Sequence, residues 1–103
     1  MKIKIFNSSL EKFIQSLDSE TIAKVTHTIE LLEKFGNSLS MPHSKKIAEE
    51  IFELRIHGNK KVRILYAFYN KEAILLHGFV KKTAKIPKKE IKIATNRQKN
   101  IAL

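Results

Sequence analysis

The chain of 103 residues has no cysteine, which excludes a disulfide framework and any thiolate metal site. It has no apolar run approaching the roughly 20 residues that cross a bilayer. Its first twenty residues mix lysines with short apolar runs and show no signal-peptide core. A soluble, cytoplasmic protein without membrane attachment is therefore expected. A Gly-rich phosphate loop, an HExxH pair and a clustered set of acids and histidines are missing too, so nucleotide hydrolysis and metal catalysis have no visible apparatus. No cofactor is expected. Repeats, linkers and low-complexity segments are absent, and a hydrophobic content of 43% is enough for one core, so residues 1–103 are read as a single domain.

Acidic residues are scarce, and unevenly so. Ten Asp and Glu stand against twenty Lys and Arg, for a net charge of +10. Residues 1–53 hold seven lysines and eight acids, a net of −1, while residues 54–103 hold thirteen Lys and Arg and two Glu, a net of +11. An excess confined to one half of a compact domain costs stability through self-repulsion unless an anionic partner gathers there.

The apolar pattern predicts an α+β domain. MKIKIF alternates with period two, as a strand with one buried face does. SSLE at 8–11 reads as a capping box opening a helix through Leu10, Phe13, Ile14 and Leu17. A second helix starts near Asp18 or Ser19, stripes its core face with Ile22, Val25, Ile29 and Leu32, and stops at Gly36, giving a helical hairpin. GNSLSMPHS at 36–44 reads as a loop. IFELRI (51–56), VRILYAF (62–68) and AILLHGFV (73–80), separated by turn residues, read as an antiparallel meander. With the first strand this makes a sheet of about four. A basic helix follows Pro87, over 88–101, with Ile91, Ala94 and Ile101 inward.

If Ile56 pairs with Val62, then Arg55 and Arg63 lie directly opposite each other on one face. Like charges so placed destabilise a sheet, which points to an anion between them. Arginine forks suit phosphate oxygens, and Lys81 and Lys82 follow where the last strand ends. RNA brings its own nucleophile, the 2′-hydroxyl, so a cationic site that holds a phosphodiester in line can cleave it without a metal. The alternative for Arg55 is an ion pair with an acid such as Glu53. His77, in an apolar strand, reads more readily as a hydrogen-bonded structural histidine than as a catalytic one. His27, His43 and His57 are scattered and carry no assigned role.

The order IFELRI, short turn, VRILYAF and LLHGFVKKTAKIPKKEIKIA (75–94) resembles the RelE/ParE toxin superfamily, in its phage-derived, HigB-like branch. The resemblance implies a RelE-like fold and a type II toxin that cleaves messenger RNA, typically on the ribosome, and so stops translation. It also implies a hetero-oligomer with a cognate antitoxin, often of helix-turn-helix type. Arg63 matches the arginine placed against the scissile phosphate and Arg55 a basic position assisting it. Lys81 and Lys82 match the basic pair implicated in charge stabilisation and proton transfer. Lys85, Lys88 and Lys89 are either RNA contacts or a solvated helix start. Two departures stand out. The final helix has no tyrosine, so Tyr66 or Tyr69 would have to substitute, or the base is a lysine or His77. The acids of AEE at 48–50 fall where the family usually carries a turn with a basic or glycine residue. Arg63 is expected to point away from the apolar face and to carry little packing. A ParE-like toxin acting on DNA gyrase, or an inactive nucleic-acid-binding module, are the competing readings.

Overall fold

The computed structural model describes residues 1–101. Strand β1 (Lys2–Ile5) leads into helices α1 (Ser8–Gln15) and α2 (Ser19–Phe35), after which β2 (Ser44–Ala48), β3 (Ile51–Ile56), β4 (Val62–Tyr69) and β5 (Glu72–Val80) precede helix α3 (Lys88–Lys99). The sheet has five strands in the order β1-β5-β4-β3-β2. β1 joins it parallel to β5, with Ile3 beside Ala73, and the other pairs are antiparallel.

Local chemistry accounts for the helix ends. Asn7, in extended conformation, caps α1 by accepting from the Leu10 N–H at 3.3 Å, so the expected Ser8 cap is corrected. Ser8 is already the first helical residue, and Asn7 alone has the extended backbone that turns a side-chain oxygen back onto the free N–H groups. Asp18 caps α2 through the Thr21 N–H and hydroxyl, and these hydrogen bonds hold its carboxyl below the usual range. Gly36 ends α2 at φ 53°, a left-handed conformation that glycine adopts without strain.

The strand β2 lies where a loop was expected to run out. Ser44 is paired with Leu54 and its hydroxyl is hydrogen-bonded to Tyr66, while Lys45 and Lys46 are exposed. Period-two hydrophobicity is absent from this edge strand because Lys45 and Lys46, successive residues on opposite faces, are both exposed, and lysines of this kind also keep an open edge from pairing with another chain.

Alternate strand residues divide between two cores. Leu54, Ile56, Val62, Ile64, Tyr66, Ala73 and Leu75 pack under α1 and α2 against Leu10, Leu17, Val25 and Leu32. Ile51, Leu65, Ala67, Ile74, Leu76 and Phe79 face the other way, onto Ala94 of α3. A bulge in β5 interrupts the alternation. Leu65 is beside His77 and Tyr66 beside Leu75, so Leu76 is the extra residue, and both Leu76 and His77 face α3. The carbonyl of Leu76 accepts from Arg97 Nη1 of α3 at 2.7 Å. Beyond the bulge, Gly78 turns to the hairpin side, where a Cβ would sit 2.8 Å from Leu10 Cδ1 and from Phe13. Glycine is therefore required there by close approach.

Candidate functional site

The face of the sheet toward α3 is only partly covered by that helix, and the remainder is charged. β3 and β4 pair with Ile56 beside Val62, which sets Arg55 opposite Arg63, the register the sequence implies. Period two puts Glu53 on the same face. Its carboxylate lies between the two guanidinium groups, with Oε2 3.0 Å from Arg63 Nε and Oε1 3.5 Å from Arg55 Nε. The anion that the opposed arginines require is thus supplied from within the chain.

The two arginines differ in what remains free. Arg63 is 4% exposed, donates to Glu53, and gives Nη1 to the Val62 carbonyl at 3.2 Å. Burial pulls its guanidinium down from the ordinary value, with Glu53 opposing and Arg55 adding to the effect. The expectation that Arg63 carries little packing is corrected: its side chain is part of the floor, because β4 is the central strand and both of its faces are covered. Arg55 is half-buried. Its Nε has no hydrogen-bond partner, and its Nη1 meets only Met41 Sδ, at 3.5 Å. That Nε is itself enclosed and lies within ion-pair reach of Glu53 Oε1, at 3.5 Å, while the residue borders open space.

That space is a groove of about 470 Å³ lined by Lys45, Lys46, Glu53, Arg55, Lys81 and Lys85, with Ile47, Ala84, Ile86 and Ile91 completing it. Five cations thus surround one carboxylate. Each comes from a different constraint: Lys45 stands beside Glu53 through the β2–β3 pairing, and Lys81 is held where β5 ends by its N–H bond to the Lys61 carbonyl at 2.7 Å. Lys85 lies in the connection to α3.

Other residues singled out by the sequence lie elsewhere. Lys82 is exposed and lines a neighbouring groove. Lys88 and Lys89 are exposed in the first turn of α3, outside the groove lining. His77, turned by the bulge, has Nε2 3.0 Å from Glu90 Oε1 and stacks on Phe79, so it ties β5 to the start of α3. Neither tyrosine can serve for the one missing from the final helix. Tyr66 is buried in the opposite core, its hydroxyl bonded to Ser44 and its ionisation pushed up by burial. Tyr69 lies at the far end of β4, beside Lys4, Phe6 and Asn100. The two acids of AEE form the β2–β3 turn, with Glu50 at φ 60° and bonded to Gln98 of α3, away from the arginines. Among the described residues no group of three or more His, Cys, Asp or Glu is arranged to hold a metal, and no helix is long and apolar enough to cross a membrane.

Lys45 and Lys46 escaped the sequence reading because they follow a proline in a segment without alternation. Glu53 was visible only as a partner for Arg55, and its burial between two arginines depends on register.

Residues 12–99 match the family model described as phage derived protein Gp49-like (DUF891). The chain belongs to this family. The Gp49-like match runs from the middle of α1 to the end of α3, and takes in all the groove residues. Gp49-like proteins form a RelE-like family associated with toxin–antitoxin systems, and the chain is accordingly a toxin-like module, consistent with an antitoxin partner. No curated protein matches the chain.

Proposed function

We propose that this Gp49-like chain is a HigB-type toxin that cleaves messenger RNA on the ribosome, and that the groove over Glu53 and Arg63 holds the phosphodiester. The observation that carries this reading is Arg55: a half-buried guanidinium whose side-chain hydrogen bond is the long one to Met41 Sδ, set among four lysines that line one groove. In the reaction the RNA 2′-oxygen bonds to phosphorus and the bond from phosphorus to the 5′-oxygen breaks, leaving a 2′,3′-cyclic phosphate and a 5′-hydroxyl. Negative charge builds on the non-bridging oxygens, and Arg55 and Lys85 stabilise it. Lys81, at the end of β5, gives a proton to the departing 5′-oxygen. Glu53 is the one carboxylate among the groove residues and accepts the proton of the 2′-hydroxyl. Its pairing with two arginines makes it a weak base, so stabilisation of charge and in-line placement supply most of the rate. The Glu53–Arg63 pair positions Arg55 against the repulsion of its neighbour.

The antitoxin in this reading carries a helix-turn-helix domain and an acidic segment, and it blocks the basic half of the chain in a hetero-oligomer. The test combines pulse labelling after induction with primer extension on messenger RNA from a translation extract. Arrest of protein synthesis with new 5′-hydroxyl ends, dependent on ribosomes, is the expected result. Continued protein synthesis with failing DNA synthesis would move the assignment to a gyrase-directed toxin. Binding of RNA without cleavage would leave a nucleic-acid-binding module.

A further inference from the structure

Beside the first groove lies a second one of about 470 Å³, lined by Asn59, Lys60, Lys61, Val80, Lys81, Lys82, Thr83 and Ala84. One wall is the connection between β3 and β4 and the other is the segment that follows β5. The two are fastened by the Lys81 N–H bond to the Lys61 carbonyl. The second wall is curled by the Thr83 hydroxyl, which donates to the Lys85 carbonyl at 2.6 Å. Lys60 is braced by Asp18 at the N-terminus of α2, at 3.7 Å. Among the described residues Lys61, Lys81 and Lys82 make no ion pair, and no acid lines the groove. Lys81 and Ala84 line both grooves, so the two share a wall.

We propose that this second groove is a phosphate subsite for the nucleotide next to the one that is cut, so that the substrate is a single strand of RNA whose backbone crosses both grooves at Lys81. The proposal rests on the reading of the first groove as the RNA-cleaving site. Three features favour a nucleic-acid backbone over an acidic protein segment. Lysines are point charges suited to single phosphate oxygens, and the groove contains none of the arginine forks that take carboxylates in two-point pairs. Its apolar surface is limited to Val80 and Ala84, too little for the side-chain anchors that peptide recognition uses. Among the described residues no aromatic side chain lines either groove, so bases are not stacked there, and binding of the strand is independent of base identity.

The test uses two uncleavable probes, a 2′-O-methyl oligoribonucleotide of about six nucleotides and the corresponding dinucleoside monophosphate, whose affinities are measured against salt. It compares the wild-type chain with Lys60→Gln/Lys61→Gln. The double variant keeps the Lys61 carbonyl and loses only an exposed ion pair, which contributes little to stability; an unchanged thermal melt checks this. The expected result is weaker binding of the longer probe, with the slope of log K on log salt reduced by about 0.7 for each phosphate that is no longer neutralised, and unchanged binding of the short probe. An unchanged slope for the longer probe overturns the subsite. Equal losses on both probes overturn it as well, since the lysines would then act through the general field. Loss of binding to polyglutamate with RNA binding intact would reassign the groove to an acidic protein partner. If the wild-type chain binds neither RNA probe, free or in the presence of ribosomes, the RNA reading of the first groove fails, and the subsite with it.

Discussion

Leu54 and Glu53 are neighbours on β3 and stand on opposite faces of the same sheet. Leu54 has no exposed surface and lies under the helical hairpin. Glu53 is buried almost as completely, at 3% exposure, between Arg55 and Arg63. The hairpin side is covered from β1 toward β3 by two helices, and its buried pair Ser44 and Tyr66 is hydrogen-bonded. The other side is covered by α3 alone, which packs on Leu76 and its neighbours and leaves the end of the sheet beyond Arg63 open. Equal burial thus arises from different physics. One face is closed by apolar area, whereas the other is closed by a paired charge at the floor of a wet groove, where desolvation is partial and charge can be kept.

The contrast is broken most severely at the ion pair. Glu53→Ala leaves Arg63 buried without its partner and opposite Arg55, and is expected to cost about 3–5 kcal/mol, read from urea denaturation. A cost within about 0.5 kcal/mol, as for an ordinary surface substitution, would mean that Glu53 does not hold the floor together. Next comes Arg55→Ala. Its guanidinium borders the groove and its side-chain hydrogen bond is only the long one to Met41 Sδ, so under the proposed function cleavage is expected to fall roughly 10²-fold or more while the urea midpoint hardly moves. Cleavage at the wild-type rate would remove Arg55 from the mechanism. The smallest effect on stability is expected from the paired replacement Glu53→Met/Arg63→Met, which fills the floor with apolar groups of similar size. Buried pairs replaced in this way often leave stability unchanged or raised, so the double variant should unfold at or above the wild-type midpoint and yet fail to cut RNA. Full activity would show both that the pair does not position Arg55 and that Glu53 is not the proton acceptor. Arg63→Ala alone, which the sequence suggests as a clean probe of catalysis, combines both losses and separates neither.

Much of the fold was legible because periodicity is local. The helical hairpin, the meander from Ile51 to Val80 and the basic final helix all follow from spacing that a window of a dozen residues displays, and the Arg55–Arg63 register follows once Ile56 is paired with Val62. The helix caps were legible only to within a residue, since Asn7 and Ser8 are both good capping types and the backbone conformation chooses between them. The β2 strand was not legible, because an edge strand of Ser, Lys and Lys is made by the unpaired edge of β3 and by the Tyr66 hydroxyl.

The sequence by itself determined which residues alternate and where the positive charge accumulates, because these depend on neighbours along the chain, and it left the pairing of Arg55 with Arg63 conditional on the hairpin register that the structure then showed. Only the tertiary structure decided which of the two arginines is spent and which is free. The carboxylate of Glu53 reaches both from the same strand face, but burial by the central strand commits Arg63 to it, and the open end of the sheet leaves Arg55 with a donor to offer. The tertiary structure likewise turned His77 onto Glu90, because a one-residue bulge reverses a side chain's face. Tyr66 is kept from the groove by alternation alone, being an odd number of residues from Arg63, and Tyr69 by its place at the far end of β4.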